Sequence, residues 1–292
     1  MRTVTPAPER PVALPDDGTA RDRAATRPGR LRSLGATLWP PTVVFLVTLG
    51  IWLMMSYALL SEEQRFLLPP PQQVIEVGFL QWDNLKEILE GLWSTAQVAL
   101  TGLAIAIGLG MAFAISMSQA TWVERSFYPY AVALQTIPII ALVPLVGFWF
   151  SFNFKSRVIA CVIISIFPII TNTLFGIQSV EGTLHDLFTL HGAKRSTRLW
   201  KLQLPWALPA VFTGFRISAG LSVIGAIVGD FFFRQGEPGI GRLIDIYRNQ
   251  LQSEQLFSAI FFSSVLGIVV FWAFGFVGYR LIRSWHDSAL RP

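Results

Sequence analysis

Apolar residues in this chain do not alternate with polar ones as they do in a soluble helix or strand. They gather into long unbroken runs. Six runs, near 38–60, 94–118, 127–150, 158–177, 209–233 and 256–279, reach the roughly 20 residues that a helix needs to cross a bilayer. Backbone groups in lipid must bond within their own segment, so the runs predict helices rather than open strands. Between the first two, Leu67-Leu68-Pro69-Pro70-Pro71 breaks the chain, and Leu85, Ile88, Leu89, Leu92 and Trp93 then share one helical face. That face belongs to a surface amphipathic helix running into span two, or packs against neighbouring spans.

Lipid gives helices no hydrophobic reason to associate, so close packing depends on small residues. Span two carries Gly102, Ala106, Gly110, Ala114 and Ser118 at every fourth position, and span five carries Gly214, Ser218, Ser222 and Ala226. Both predict helices buried in the bundle. Pro138 and Pro144 in span three, and Pro168 in span four, predict kinks. Polar residues beside these kinks, Gln135, Thr136, Asn172 and Thr173, are candidates for a solute path, with ordinary interhelical hydrogen bonding as the alternative.

Composition sharpens the picture. Of 292 residues 52% are hydrophobic and 14% charged, well below the charge content of soluble domains. The net charge of +5 does not point to nucleic acid, because Arg21, Arg23, Arg27, Arg30 and Arg32 cluster just before the first run as a topology signal. With the N-terminus inside, 15 Lys and Arg fall on the inner segments and 7 on the outer ones, Lys155 and Arg157 among the latter. Both termini are thereby predicted cytoplasmic. Residues 1–36 are expected to be a disordered cytoplasmic tail, 37–285 a transmembrane domain with an inner loop at 181–208, and 286–292 a second short tail.

Candidate catalytic chemistry is sparse. Cys161 is the one cysteine, and His185, His191 and His286 lack metal-site spacing, so neither a metal site nor a catalytic residue is expected. No Gly-Lys pair occurs, so this chain has no phosphate loop for ATP. Gly236-Glu237-Pro238-Gly239-Ile240-Gly241 reads as a tight turn. Arg216 and Asp230 lie fourteen residues apart in span five, about 21 Å, so they cannot pair within it. They are read as reaching the inner headgroups and the outer rim respectively. The aromatics at Phe148–Phe154 and Phe231–Phe233 read as an interfacial belt.

The inner loop after span four carries the most information. Leu184, Leu187, Phe188 and His191 share a face, Gly192 is placed to end that helix, and a second short helix over 196–203 stops before Pro205. Such an elbow with an apolar stripe is either a partner surface or an amphipathic helix lying on the inner leaflet.

Gly192, nine residues, then Leu202-x-Leu204-Pro205 resembles the signature loop of binding-protein-dependent ABC importer permeases, with Asp186-Leu187-Phe188 where Glu-Ala-Ala is usual. The resemblance covers about 66–285. Leu68-Pro69-Pro70-Pro71, Gln135-Thr136-Ile137-Pro138, Phe167-Pro168 to Thr173 and Pro209-x4-Gly214-x-Arg216 are similar to the branch for sulfonates, taurine, nitrate or bicarbonate and thiamine-pathway pyrimidines. Phe150-Ser151-Phe152-Asn153 stands where relatives more often show glycines.

The resemblance implies an all-α, type I importer permease of about six transmembrane helices in a bacterial inner membrane. It implies cytoplasmic ATP-binding subunits that hold the ATP and Mg, an extracytoplasmic solute-binding protein, and a second permease copy as a homodimer. The coupling contacts it implies are Leu184, Asp186, Leu187, Phe188, His191, Gly192, Ala193, Leu202, Leu204 and Pro205. The chain itself is then a transport subunit rather than an enzyme. The competing reading is a secondary transporter that works without an ATPase.

Overall fold

The computed structural model describes residues 30–233 and 235–283, with side chains from Trp39 onward. The tail reading over 1–29, the segment 286–292 and His286 lie outside the described residues. The chain divides into two units, one ending at Met55 and the other beginning at Ser56. The first holds α1 (Arg30–Met54), which starts inside the segment read as tail, where no proline falls between Arg30 and Pro40. Its apolar side chains, Val44 and Phe45 among them, are exposed, as a lipid-facing helix requires.

The second unit contains α2 (Pro71–Ile75), α3 (Trp82–Gln119), α4 (Thr121–Thr136), α5 (Ile139–Phe150), α6 (Phe154–Gln178), α7 (Gly182–Leu190), α8 (Arg195–Arg198), α9 (Leu204–Phe232), α10 (Ile240–Asn249) and α11 (Ser253–Ile282). Among the described residues no strand is present. Five helical stretches are long and apolar enough to span a membrane: Trp39–Leu59, Trp82–Gln119, Phe154–Gln178, Arg195–Phe232 and Ser253–Ile282. The sixth expected span is the pair α4 and α5, bent by 102°. Sequence reasoning predicted a kink there, and the structure has a break. Proline at 138 removes a donor and forces Ile137 into extended backbone (ψ 127°), so two residues in succession leave the helix.

The stretch before span two runs into it without a break. It is the first turns of α3, where Ile88 and Leu92 pack on Ile240, Leu243 and Tyr247 of α10 while Leu89 and Trp93 stay exposed.

At the centre, α6 packs between α3 and α9. The expected small-residue seams are what allow this approach. A Cβ on Gly110 of α3 would stand 2.7 Å from Ile169, and one on Gly225 of α9 would stand 2.9 Å from the Cα of Cys161. Ser218 of α9 donates to the Ser165 carbonyl of α6 at 2.6 Å, satisfying a hydroxyl that lipid could not. Ser151 sits at φ 70°, the left-handed region that glycine enters at no steric cost.

Gly220 faces open space, so it serves as the control for packing. Gly225→Ala is expected to cost about 1–3 kcal/mol by forcing α9 off α6, and Gly220→Ala well under 1 kcal/mol. Melting of the detergent-solubilised protein should rank them in that order.

Candidate functional site

One end of the second unit carries the elbow. Its first helix, α7, ends in a complete glycine cap: Ala193 N–H bonds to the Phe188 carbonyl at 3.0 Å and Gly192 N–H to that of Thr189 at 2.9 Å, with Gly192 at φ 63°. Arg198 of α8 donates to Thr189 of α7 at 2.9 Å, bracing the two arms. A π-helical turn over Leu199–Gln203 then feeds α9, where Pro205 occupies the first turn at no hydrogen-bond cost.

The apolar face that the elbow exposes differs from the stripe read in sequence. Leu184, Phe188 and Ala193 are half-buried, and Leu202 is buried at the base of α9, with Leu204 and Pro205 half-buried beside it. Asp186, Leu187, His191 and Gly192 are exposed. The largest exposed apolar groups are Leu190 at 85% and Trp200 at 67%, neither among the predicted contacts. Leu190, i+3 from Leu187, lies at the edge of the stripe centred on Leu184 and Phe188, and Trp200 sits one residue past a buried leucine, so the reading of that stripe passes over both.

Gln135 and Thr136 stand exposed at the end of α4, against the break. Asn172 and Thr173 lie on α6, each with a hydrogen-bond partner. Thr173 is buried and reaches Met111 Sδ at 3.4 Å, and Asn172 donates to the Pro168 carbonyl of its own helix at 2.8 Å.

The opposite end of the second unit holds a charged node that charge counting missed. Arg157 of α6, assigned in sequence to an exposed loop, is 3% exposed and paired with Asp230 of α9, itself 1% exposed rather than at a rim. Thr95 of α3 donates to Asp230 Oδ2 at 2.6 Å and accepts from the Ile240 N–H at 2.8 Å. Gly241 N–H donates to the same carboxylate oxygen at 3.3 Å, so the carboxylate faces the positive end of α10. Arg157 also donates to the Glu237 carbonyl at 3.2 Å and to Ser94 at 3.3 Å.

The Gly236–Gly241 stretch is more than a turn. Gly236 has φ 95°, while Gly239 and Gly241 let the backbone lie against Asp230, Arg157 and the Ile227 carbonyl, where any Cβ would collide. Nearby, Tyr247 of α10 donates to Glu87 of α3 at 2.9 Å; burial, then that carboxylate, pushes its phenol up. Of the aromatic belt, Phe148 and Trp149 are exposed, but Phe233 is buried and packs on Phe152. Among the described residues no cluster of three metal-ligating side chains occurs.

Residues 104–286 match the family described as binding-protein-dependent transport system inner membrane component. The chain belongs to that family of ABC importer permeases. The permease is 35% identical over 233 residues to the formylaminopyrimidine transport permease protein ThiX of Halalkalibacterium halodurans, an alignment covering 79% of this chain and 90% of the relative. It is 30% identical to the riboflavin transport system permease protein RibX of Chloroflexus aurantiacus, over 89% and 96% of the two chains. Its fold resembles a crystal structure of an amino acid ABC transporter with histidines, at 17% identity and TM-score 0.54, over 71% of this chain and 97% of that one. It is therefore a multi-pass inner-membrane transport subunit.

Breaking the node on one side should cost the permease about 3–5 kcal/mol, since either Arg157→Met or Asp230→Leu strands a buried charge. The double variant, which removes both charges, is expected to regain most of that loss. Melting temperatures of the three purified variants check it.

Proposed function

We propose that the permease forms the translocation path for a small polar solute delivered by an extracytoplasmic binding protein, and that a separate ATPase drives it through the 184–205 elbow. The solute class implied by the sequence is a sulfonate, a nitrate- or bicarbonate-like anion, or a vitamin-precursor heterocycle, and the names of the two relatives fall in the last group. The observation that carries the coupling is the braced elbow with Leu187, Leu190 and Trp200 turned outward. Apolar side chains on a rigid, polar-rimmed projection suit insertion into a groove of a partner. Leu202, Leu204 and Pro205 support this by anchoring the elbow to α9, rather than by touching the ATPase. ATP and Mg belong to the partner subunits, whose nucleotide-bound state shifts the permease between its two faces.

Such a unit works as a homodimer, with both termini and the elbow in the cytoplasm and α10 on the outer face. The sidedness is directly measurable, because Cys161, the one cysteine in the chain, is buried and supplies no background label. Leu190→Cys should react with an impermeant maleimide only in inside-out vesicles, and Asn249→Cys only in right-side-out ones. The reverse pattern sinks the proposed orientation.

Leu190→Asp and Trp200→Ala are each expected to lower co-purification of the ATPase and ATP-dependent uptake about tenfold, the effect of losing an interface anchor worth about 1.4 kcal/mol, with the permease melting unchanged. Uptake that persists in the double variant refutes the coupling role.

A further inference from the structure

Arg216 stands twelve residues into α9, about 18 Å along the helix from Leu204. A side chain snorkelling to headgroups runs along its own helix toward the interface. This one crosses to α11 instead. Its guanidinium carbon lies 4.1 Å from the ring centre of Phe271 and 5.9 Å from that of Trp272. Its Nε is buried and has no hydrogen-bond partner. Gly275, one turn on, leaves the room: a Cβ there would stand 3.5 Å from that nitrogen.

Among the described residues no ion pair reaches Arg216. Asp230 is the one acid in α9 and is committed to Arg157. The acids of α3 and α11, Asp83, Glu87, Glu90 and Glu254, all lie in the first three turns of their helices. Glu254 is seventeen residues, about 25 Å, from Phe271.

A cation inside an apolar stretch without a partner marks a functional position. Phe271 and Trp272 also line an open groove between α9 and α11, walled by Ile217, Gly220, Ile224 and Ile268. The groove walls are almost wholly apolar, and the guanidinium stands at the aromatic end. Its planar fork matches the oxygens of an oxyanion, and stacking on Phe271 holds the plane fixed before any ligand arrives.

We propose that Arg216 is an anion-binding point beside the α9–α11 groove, and that the transported solute carries a sulfonate, carboxylate or comparable oxyanion. The proposal rests on the importer reading above and narrows its solute. The same chemistry is offered by the phosphate of an anionic lipid, which the test separates.

The purified permease–ATPase complex, in phosphatidylcholine nanodiscs, is titrated by calorimetry with methanesulfonate, nitrate and acetate. At least one should bind saturably. Arg216→Gln should weaken that binding tenfold or more, and Arg216→Lys less, since it keeps charge but loses the fork. No saturable binding by any of the three, or binding unchanged in Arg216→Gln, overturns the proposal. So does a site that binds these anions only weakly while the native protein, but not Arg216→Gln, retains phosphatidylglycerol in native mass spectra. ATPase co-purification is read on the same samples. Its retention when anion binding fails removes this inference alone, whereas its absence removes the importer reading first. Matching melting temperatures in the Lys and Gln variants separate a lost ligand contact from a lost fold.

Discussion

Two opposite charges removed from water set the terms for the whole α10 end. Arg157 and Asp230 sit on different helices and are almost wholly buried, so each depends on the other and on a shell of neutral donors and acceptors. That shell draws on three segments. Thr95 and Ser94 come from α3, the Glu237 carbonyl from the loop after α9, and the Ile240 and Gly241 N–H groups from the start of α10. None can shift far without stranding a charge in a medium that cannot solvate it. The glycines at 239 and 241 belong to the same constraint, because only a backbone without side chains can come close enough to close the shell.

Away from that end, the bundle is held by proximity rather than by charge. Helices in lipid gain little from hiding apolar surface, so α6 is gripped because α3 and α9 present hydrogen atoms where other helices present side chains. The Cys161 thiol lies at the junction, 3.3 Å from the Ser222 carbonyl of α9 and 3.7 Å from the Ala99 carbonyl of α3. Exposed apolar side chains are then left for the outer surfaces, as on α5 and α11, where lipid or other subunits meet the protein.

Much of this was legible in the sequence, and the reasons are physical. The spans were readable because lipid imposes a length and a composition that no other environment demands. Gly192 was readable because a left-handed residue after an apolar stripe has one common use. Arg157 was misplaced because counting charges by loop assumes that every charge near a span end is solvated, and its partner is 73 residues away on another helix. The α4–α5 break was underread because Pro138 looks in sequence like any kinking proline, whereas its effect depends on Ile137 also leaving the helix. Thr173 shows in sequence as a polar residue inside a span, whereas its burial within the chain does not show there, because periodicity does not say which neighbour a side chain faces.

The continuity of α9 has a mechanical consequence. Leu204–Phe232 is 29 residues, one rod of about 42 Å that begins at the elbow and ends at the carboxylate of the buried pair. A stiff rod pivoting near its middle by about ten degrees displaces each tip by about 4 Å, more than the length of any hydrogen bond in the node. Leverage applied at the elbow therefore cannot be absorbed locally. It either carries α6 and the start of α10 along as one body, or it pulls the far contacts apart.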